Sequence, residues 1–358
     1  MAEFKEYPVG ELVVNFDRMR KPLSSREREK RKGVYPYYGA TCIFDYIDDY
    51  IFDGEYILLG EDGTVINKDG SPVLQRISGK TWVNNHAHIL RNTDIIDFDY
   101  LYYALKNANF TGAVTGAVQP KISQANMNAV RIKIHASLDE QRQVASILKA
   151  LDDKIALNTA INNNLEQQAF ALLDYMFPLL SKGTAHIGDY ITPKRGKGLL
   201  SKDAVEGKVP VVAGGLEPAT YHNKANTKAP VLTISASGAN AGYVKLWGCD
   251  VWSSDSSYID STMTNHVYFW YAVLKKRQKE IFDSQTGSAQ PHIYPQHIAV
   301  LPITSLDQQD IGNYTELVEP LFTLIGENIR ENESLSALRD SLLPKLMSGE
   351  IDIFSLKV

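Results

Sequence analysis

Residues 115–122 read TGAVQPKI and residues 286–293 read TGSAQPHI, so Thr, Gly, Gln, Pro and Ile recur in register 171 positions later. Five matches in eight could arise by chance, so the flanks decide. AVRIKIHASLDEQ (129–141) matches AVLPITSLDQQ (299–309), and YPVGELV (7–13) matches AHIGDYI (185–191). VYPYYGA (34–40) aligns with KVPVVAG (208–214), and EYILLGEDG (55–63) with PVLTISASG (230–238). WVNNHAHIL (82–90) aligns with WSSDSSYID (252–260). Matches that keep their order mean two copies of one unit. A chain of 358 residues is long enough for two domains. The expected division is 1–137, 138–180, 181–305 and 306–358, a β-rich part and then a long helix, twice over.

Short strands such as VVAGG, PVLTIS and GYVKLW stand between Gly, Asn and Ser turns. Each β-rich part also holds one aromatic-faced helix, expected over 94–107 and 264–282, so each reads as a mixed α+β domain. The segments that follow differ in kind. Val144, Leu148, Leu151, Ile155, Asn158, Asn162, Leu165, Ala169, Leu172 and Met176 step by four and three, a heptad seam. The second copy gives Val318, Phe322, Ile325, Ile329, Asn332 and Ser336, then Leu343 and Leu346, with Arg339 interrupting. Ser137 with Glu140 and Ser305 with Gln308 have capping-box spacing, and Pro320 predicts a kink or a late start. A helix of about 60 Å is too long for one such domain to cover, which predicts that the two helices pack on each other, antiparallel. Asn158 and Asn332 are repeat-equivalent positions near the helix centres, where a facing pair would fix the register.

Charge is uneven. Residues 1–137 hold 17 basic and 17 acidic side chains, 138–180 hold 3 and 6, 181–305 hold 13 and 9, and 306–358 hold 4 and 10. Acid therefore gathers on the helices. RMRKPLSSREREKRK (18–32) is strongly basic, and TPKRGKGLLSK (192–202) carries Lys194, Arg195, Lys197 and Lys202 with no acid. One basic loop is most simply a solvated loop. Two at the same place in two repeats point to phosphate contacts, with Arg18, Arg20 and Lys21 as the candidates in the first copy. The acidic run Asp45, Asp48, Asp49, Asp53 and Glu55 has no suitably spaced lysine for a nuclease and reads as a solvated loop. SGKTW (78–82) lacks the early glycine of a phosphate loop, no methyltransferase motif occurs, and no catalytic residue is assigned. His86 and His88 share a strand face, but no further ligands are evident and no metal is assigned. Cys42 and Cys249 are isolated, no apolar run reaches about 18 residues, and the N-terminus lacks a signal-peptide pattern; a cytoplasmic protein without a membrane span is expected.

The β-rich parts, the phrase Gly-x-x-Gln-Pro ahead of SLDEQRQVASILKALDDKI, and the ending LLPKLMSGEIDI together resemble the specificity subunit of Type I restriction–modification systems. That resemblance implies two tandem target recognition domains, each reading half of a split double-stranded DNA site, joined by two helices in an antiparallel coiled coil. It implies docking of two adenine methyltransferase subunits, which carry S-adenosylmethionine, and of restriction and translocase subunits; no cofactor is expected on this chain. Residues 35–110 and 209–283 share little identity, so two unlike half-sites are expected. Gln119 and Gln290 belong to the sheet-to-helix junction or to base readout. The rival reading is a coiled-coil interaction protein with two β-rich ligand-binding heads.

Overall fold

In the computed structural model, which describes residues 3–116, 118–287 and 290–351, the repeat in the sequence is a repeat of strand topology. Ala117, Ser288 and Ala289 of the two phrases, and residues 352–358 of the expected C-terminal tail, lie outside the described residues. The chain forms two units, one of residues 1–155 with 334–358 and one of residues 156–333.

In the first unit an antiparallel sheet runs in the order Val13–Asn15, Ala87–Asn92, Tyr56–Gly60, Leu74–Ile77. A second sheet runs Ile43–Ile47, Lys32–Tyr38, Lys80–Val83, Phe52–Asp53, and its middle two strands are parallel. The second unit has the order Lys194–Arg195, Ser256–Asp260, Val231–Ser235, Val244–Trp247. Its other sheet runs Thr220–His222, Val209–Val212, Trp252–Ser253, again with the last two parallel. The registers agree too: Ile57 faces Leu90, and Leu232 faces Ile259. The central strands YILLG and VLTIS are buried at every position, which is why they read as continuous apolar runs rather than alternating ones.

Each β-rich segment closes on itself. Phe4–Pro8 pairs antiparallel with Arg131–His135, and Ala185–His186 pairs with Pro302–Ile303. Gly10 and Gly188 allow the close approach this needs: a Cβ would lie 2.9 Å from the Asn128 side chain in one and 3.0 Å from Ala299 in the other.

The aromatic-faced helices are shorter than their sequence segments. The first is Phe98–Asn107, begun by Asp97, whose carboxylate accepts from the Tyr100 amide at 3.1 Å. The second divides at the buried Arg277 into Val267–Lys276 and Gln278–Asp283. Arg277 turns inward to donate to the Pro302 carbonyl at 2.6 Å.

The long helices are Leu138–Met176 and Gln308–Ser348. In the first unit Val144, Ala145 and Leu148 share a core with Leu343, Leu346 and Met347. In the second, Ala169, Leu173 and Phe177 share a core with Ile311, Tyr314, Val318 and Phe322. Early residues of one helix meet late residues of the other, so the helices pair antiparallel. Three details differ from the sequence expectation. Ser137 Oγ accepts from the Asp139 amide at 3.3 Å rather than from Glu140. Asp307, not Ser305, begins the second helix, accepting from the Gln309 amide at 2.7 Å. The second helix continues through Pro320, which is exposed, so water can take the carbonyl that proline leaves without a donor. No helix among the described residues is long and apolar enough to cross a membrane.

Candidate nucleic-acid interface

The repeated phrase is a hairpin with an outward tip. Gly116 and Gly287 have φ of 87° and 93°. A Cβ on either would come within 2.4 and 2.6 Å of the Gln119 and Gln290 carbonyl oxygens, so only glycine fits. The Thr115 hydroxyl donates to the Lys121 carbonyl at 3.2 Å, and Thr286 donates to His292 at 3.4 Å. Pro120 and Pro291 each accept, at 3.0 Å, from a glycine three residues beyond a central strand, Gly63 or Gly238. Ile122 and Ile293 enter the two cores. Four of the five repeated residue types thus hold one turn. Gln119 and Gln290 are left exposed at the tips, and their side chains make no hydrogen bond among the described residues.

The two basic segments share an anchor that the sequence reading missed. Trp82 Nε1 donates to the Lys21 carbonyl at 2.6 Å, and Trp252 Nε1 donates to the Lys197 carbonyl at 2.8 Å. These tryptophans open the aligned phrases WVNN and WSSD, so the alignment already paired them, but nothing in it revealed what they hold. The anchor makes Lys21 the counterpart of Lys197, although the first segment lacks a Thr192–Pro193 turn. Arg18, Lys21, Lys194, Lys197 and Lys202 are exposed, and none makes an ion pair among the described residues.

The remaining cations are engaged. Arg20 is taken inward: its guanidinium meets Glu61 at 2.6 Å and Asp17 at 3.5 Å and donates to the Ala87 carbonyl at 2.8 Å. It is a structural cation rather than a free phosphate ligand. Arg195 is exposed but paired with Asp255 at 2.6 Å. In the first unit, Arg31 meets Asp48 at 2.9 Å and Asp49 at 3.5 Å, while Asp45 takes Lys32 at 2.7 Å and Arg28 at 3.5 Å. The hydrogen bond from Lys32 holds the Asp45 carboxyl below its usual range. The acidic run is therefore the partner of the basic run, not a free loop. Arg31 also lies over the Trp82 ring at 4.8 Å.

His88 is fully buried, while His86 stands outside and meets Asp62 at 2.6 Å. His88 Nδ1 lies 2.6 Å from Asp17, and its Nε2 lies 2.9 Å from the Ile122 carbonyl. Asp17, Glu61 and His88 converge as a metal-type donor set. The guanidinium of Arg20 and the ammonium of Lys121, 3.1 Å from Glu61, already supply positive charge there. Burial raises the Asp17 and Glu61 pKa values, but hydrogen bonds from His88 and the Ile89 amide to Asp17, and from Arg20 to Glu61, outweigh it and hold both below the usual carboxylate range.

On the helix pair, Asn158 is buried and donates to Asn332 Oδ1 at 2.9 Å and to Glu331 at 2.7 Å. A second rung was not foreseen: Asn328 donates to Asn162 at 2.8 Å. Asn328 is buried, and Ile329, expected in the seam, is 46% exposed.

Residues 1–167 match the family described as Type I restriction modification DNA specificity domain. A putative type I restriction enzyme specificity subunit of Haemophilus influenzae is 33% identical over 150 residues, which are 42% of this chain and 38% of the relative's length. The MjaIX type I specificity subunit of Methanocaldococcus jannaschii is 24% identical over 98% of this chain and 97% of its own. Among solved structures, the Type-I restriction-modification system S subunit from M. genitalium has the same fold, with a TM-score of 0.57 at 19% identity over 97% of this chain and 96% of that one. Matching strand orders in both halves and these similarities, from a bacterium to an archaeon, agree: residues 1–167 match the Type I specificity domain, and the chain as a whole is similar to specificity subunits of Type I restriction–modification systems.

Proposed function

We propose that this chain is the non-catalytic DNA-reading subunit of a Type I complex, with residues 1–137 and 181–305 as target recognition domains for two unlike half-sites. Residues 138–180 and 306–358 are the spacer helices and tail, which fix the half-site spacing and dock two methyltransferase subunits and the restriction and translocase subunits. S-adenosylmethionine belongs to the methyltransferase partners. The observation that carries this reading is the paired anchor: one tryptophan in each half holds the backbone of a basic segment, leaving Lys21 with Arg18, and Lys197 with Lys194, turned to solvent. Phosphate contacts from such lysines give affinity and register, while other side chains read base edges. The test is to express the chain with its methyltransferase partner and map adenine methylation across a genome. A split motif with two different halves and a fixed gap is expected. Methylation at a single unsplit motif, or none beyond that of the methyltransferase alone, would overturn the reading.

A further inference from the structure

His88 sits where the second unit has a serine: His88 faces Leu59 across the sheet, and Ser257 faces Ile234. Its surroundings fix its protonation. A carbonyl oxygen only accepts, so Nε2 facing Ile122 must carry hydrogen. Asp17 also takes the Ile89 amide at 2.9 Å and is ionised, so Nδ1 facing it must carry hydrogen as well. The bonds tie three segments together. Asp17 begins the turn Asp17–Met19 that leads to Lys21, Glu61 directly follows the central strand Tyr56–Gly60, and Ile122 belongs to the repeated hairpin. Arg20 closes the same cluster through Asp17 and Glu61, and Lys121 flanks it on Glu61.

We infer that His88, as an imidazolium bridging Asp17 and the Ile122 carbonyl, is a positioning residue for the basic segment at Arg18 and Lys21, and that it makes half-site binding by the first domain proton-dependent. This rests on the DNA-reading proposal above. Loss of either proton leaves a ring nitrogen lone pair against an oxygen, so the neutral ring holds Asp17 or the Ile122 carbonyl but not both, and the bridge between the turn leading to Lys21 and the hairpin is broken. The second domain has no such group, because Ser257 occupies the position. Burial works against charging His88, but the hydrogen bond to Asp17 outweighs it and raises the group above its ordinary 6.5. A raised histidine gives its full contribution below the unfolded value and loses it as pH climbs through the folded one. The loss therefore sets in at a higher pH than for an ordinary histidine.

The experiment uses the full chain with its methyltransferase partner and three duplexes: the mapped site, and the site with either half scrambled. Affinity is measured from about pH 6 to about pH 9. The duplex keeping only the first domain's half is expected to weaken by up to about tenfold per pH unit above the folded value, beyond any change seen with the other half. His88→Gln, whose neutral amide cannot donate at both ends, should bind that half weakly at all pH values and the other half normally. His86→Gln should keep the wild-type profile, which separates the exposed His86–Asp62 pair from the effect. Parallel profiles for the two halves, or a His88→Gln profile like wild type, would overturn the inference alone. Failure to bind either half would instead sink the DNA reading. If His88→Gln does not fold, nitrogen NMR of the wild-type imidazole decides: two protonated nitrogens at neutral pH support the inference, and a neutral ring refutes it.

Discussion

Arg20 and Lys21 are neighbours of like charge with opposite fates, and a pair of substitutions separates them. Arg20 fills a recess between Asp17, Glu61 and two carbonyls, with its side chain 15% exposed. Arg20→Ala leaves two buried acids short of a donor and should cost about 1–3 kcal/mol, seen as a lower Tm in the absence of DNA. Lys21→Ala should leave Tm unchanged. It should flatten the log–log salt dependence of DNA binding by about 0.9 if one phosphate contact is lost, and Lys197→Ala should do the same in the other half. An Arg20→Ala chain of unchanged Tm would mean that the recess is not where the arginine works. The sequence showed the positive charge of residues 18–32 but not its allocation. Allocation depends on which acids the sheet brings alongside, and Asp45, Asp48 and Glu61 are separated in sequence from the cations they meet. His88 was hidden for the same reason, since its partners come from residues 17, 61 and 122.

At the scale of elements, strand order and helix pairing were legible because they follow from local pattern repeated twice. The helix seam was legible except at the end of the first helix, where Leu173 and Phe177 rather than Leu172 and Met176 are buried, and at one turn of the second. A search for apolar residues at heptad spacing selects Ile329, whereas the buried residue is Asn328, bonded to Asn162 one turn from the Asn158–Asn332 bond. Polar rungs are invisible to an apolar template. They bear on register, because a slipped helix would set an asparagine against an apolar side chain and leave its amide unpaired. Asn158 Oδ1 has no hydrogen-bond partner among the described residues, a standing cost. Asn158→Leu with Asn332→Leu should therefore raise Tm, with the spacing between methylated half-sites retained by the second rung. Adding Asn162→Leu and Asn328→Leu should loosen that spacing. A fourfold variant with an unchanged spacer would show that the asparagines do not set the register.

At the scale of the whole molecule, the repeat predicts exchangeable parts, and the backbone shows how an exchange can be made. Residues 181–305 begin and end on paired strands, Ala185–His186 with Pro302–Ile303. Just outside, the Thr304 amide donates to the Leu180 carbonyl at 2.8 Å. A Cβ on Gly183 would lie 2.1 Å from the Ile303 carbonyl, so the two ends of the segment run side by side and glycine is required where they touch. Every strand pairing in the 181–305 segment stays within it. Replacing the segment with the matching domain of a relative cuts no sheet, and the closing strands can be kept as the seam. Packing against the helices is a different matter: Ile187, Phe269 and Ile298 share a core with Ala169, Phe177 and Tyr314. A foreign domain with other volumes there should lose about 1–3 kcal/mol by mismatch, so the exchange should be judged by motif and not by yield. The expected result is a methylated motif in which one half changes while the other half and the gap stay as they were. The reciprocal exchange of the first domain should alter only the other half. A chimera that changes both halves together would show that the two repeats do not read DNA independently.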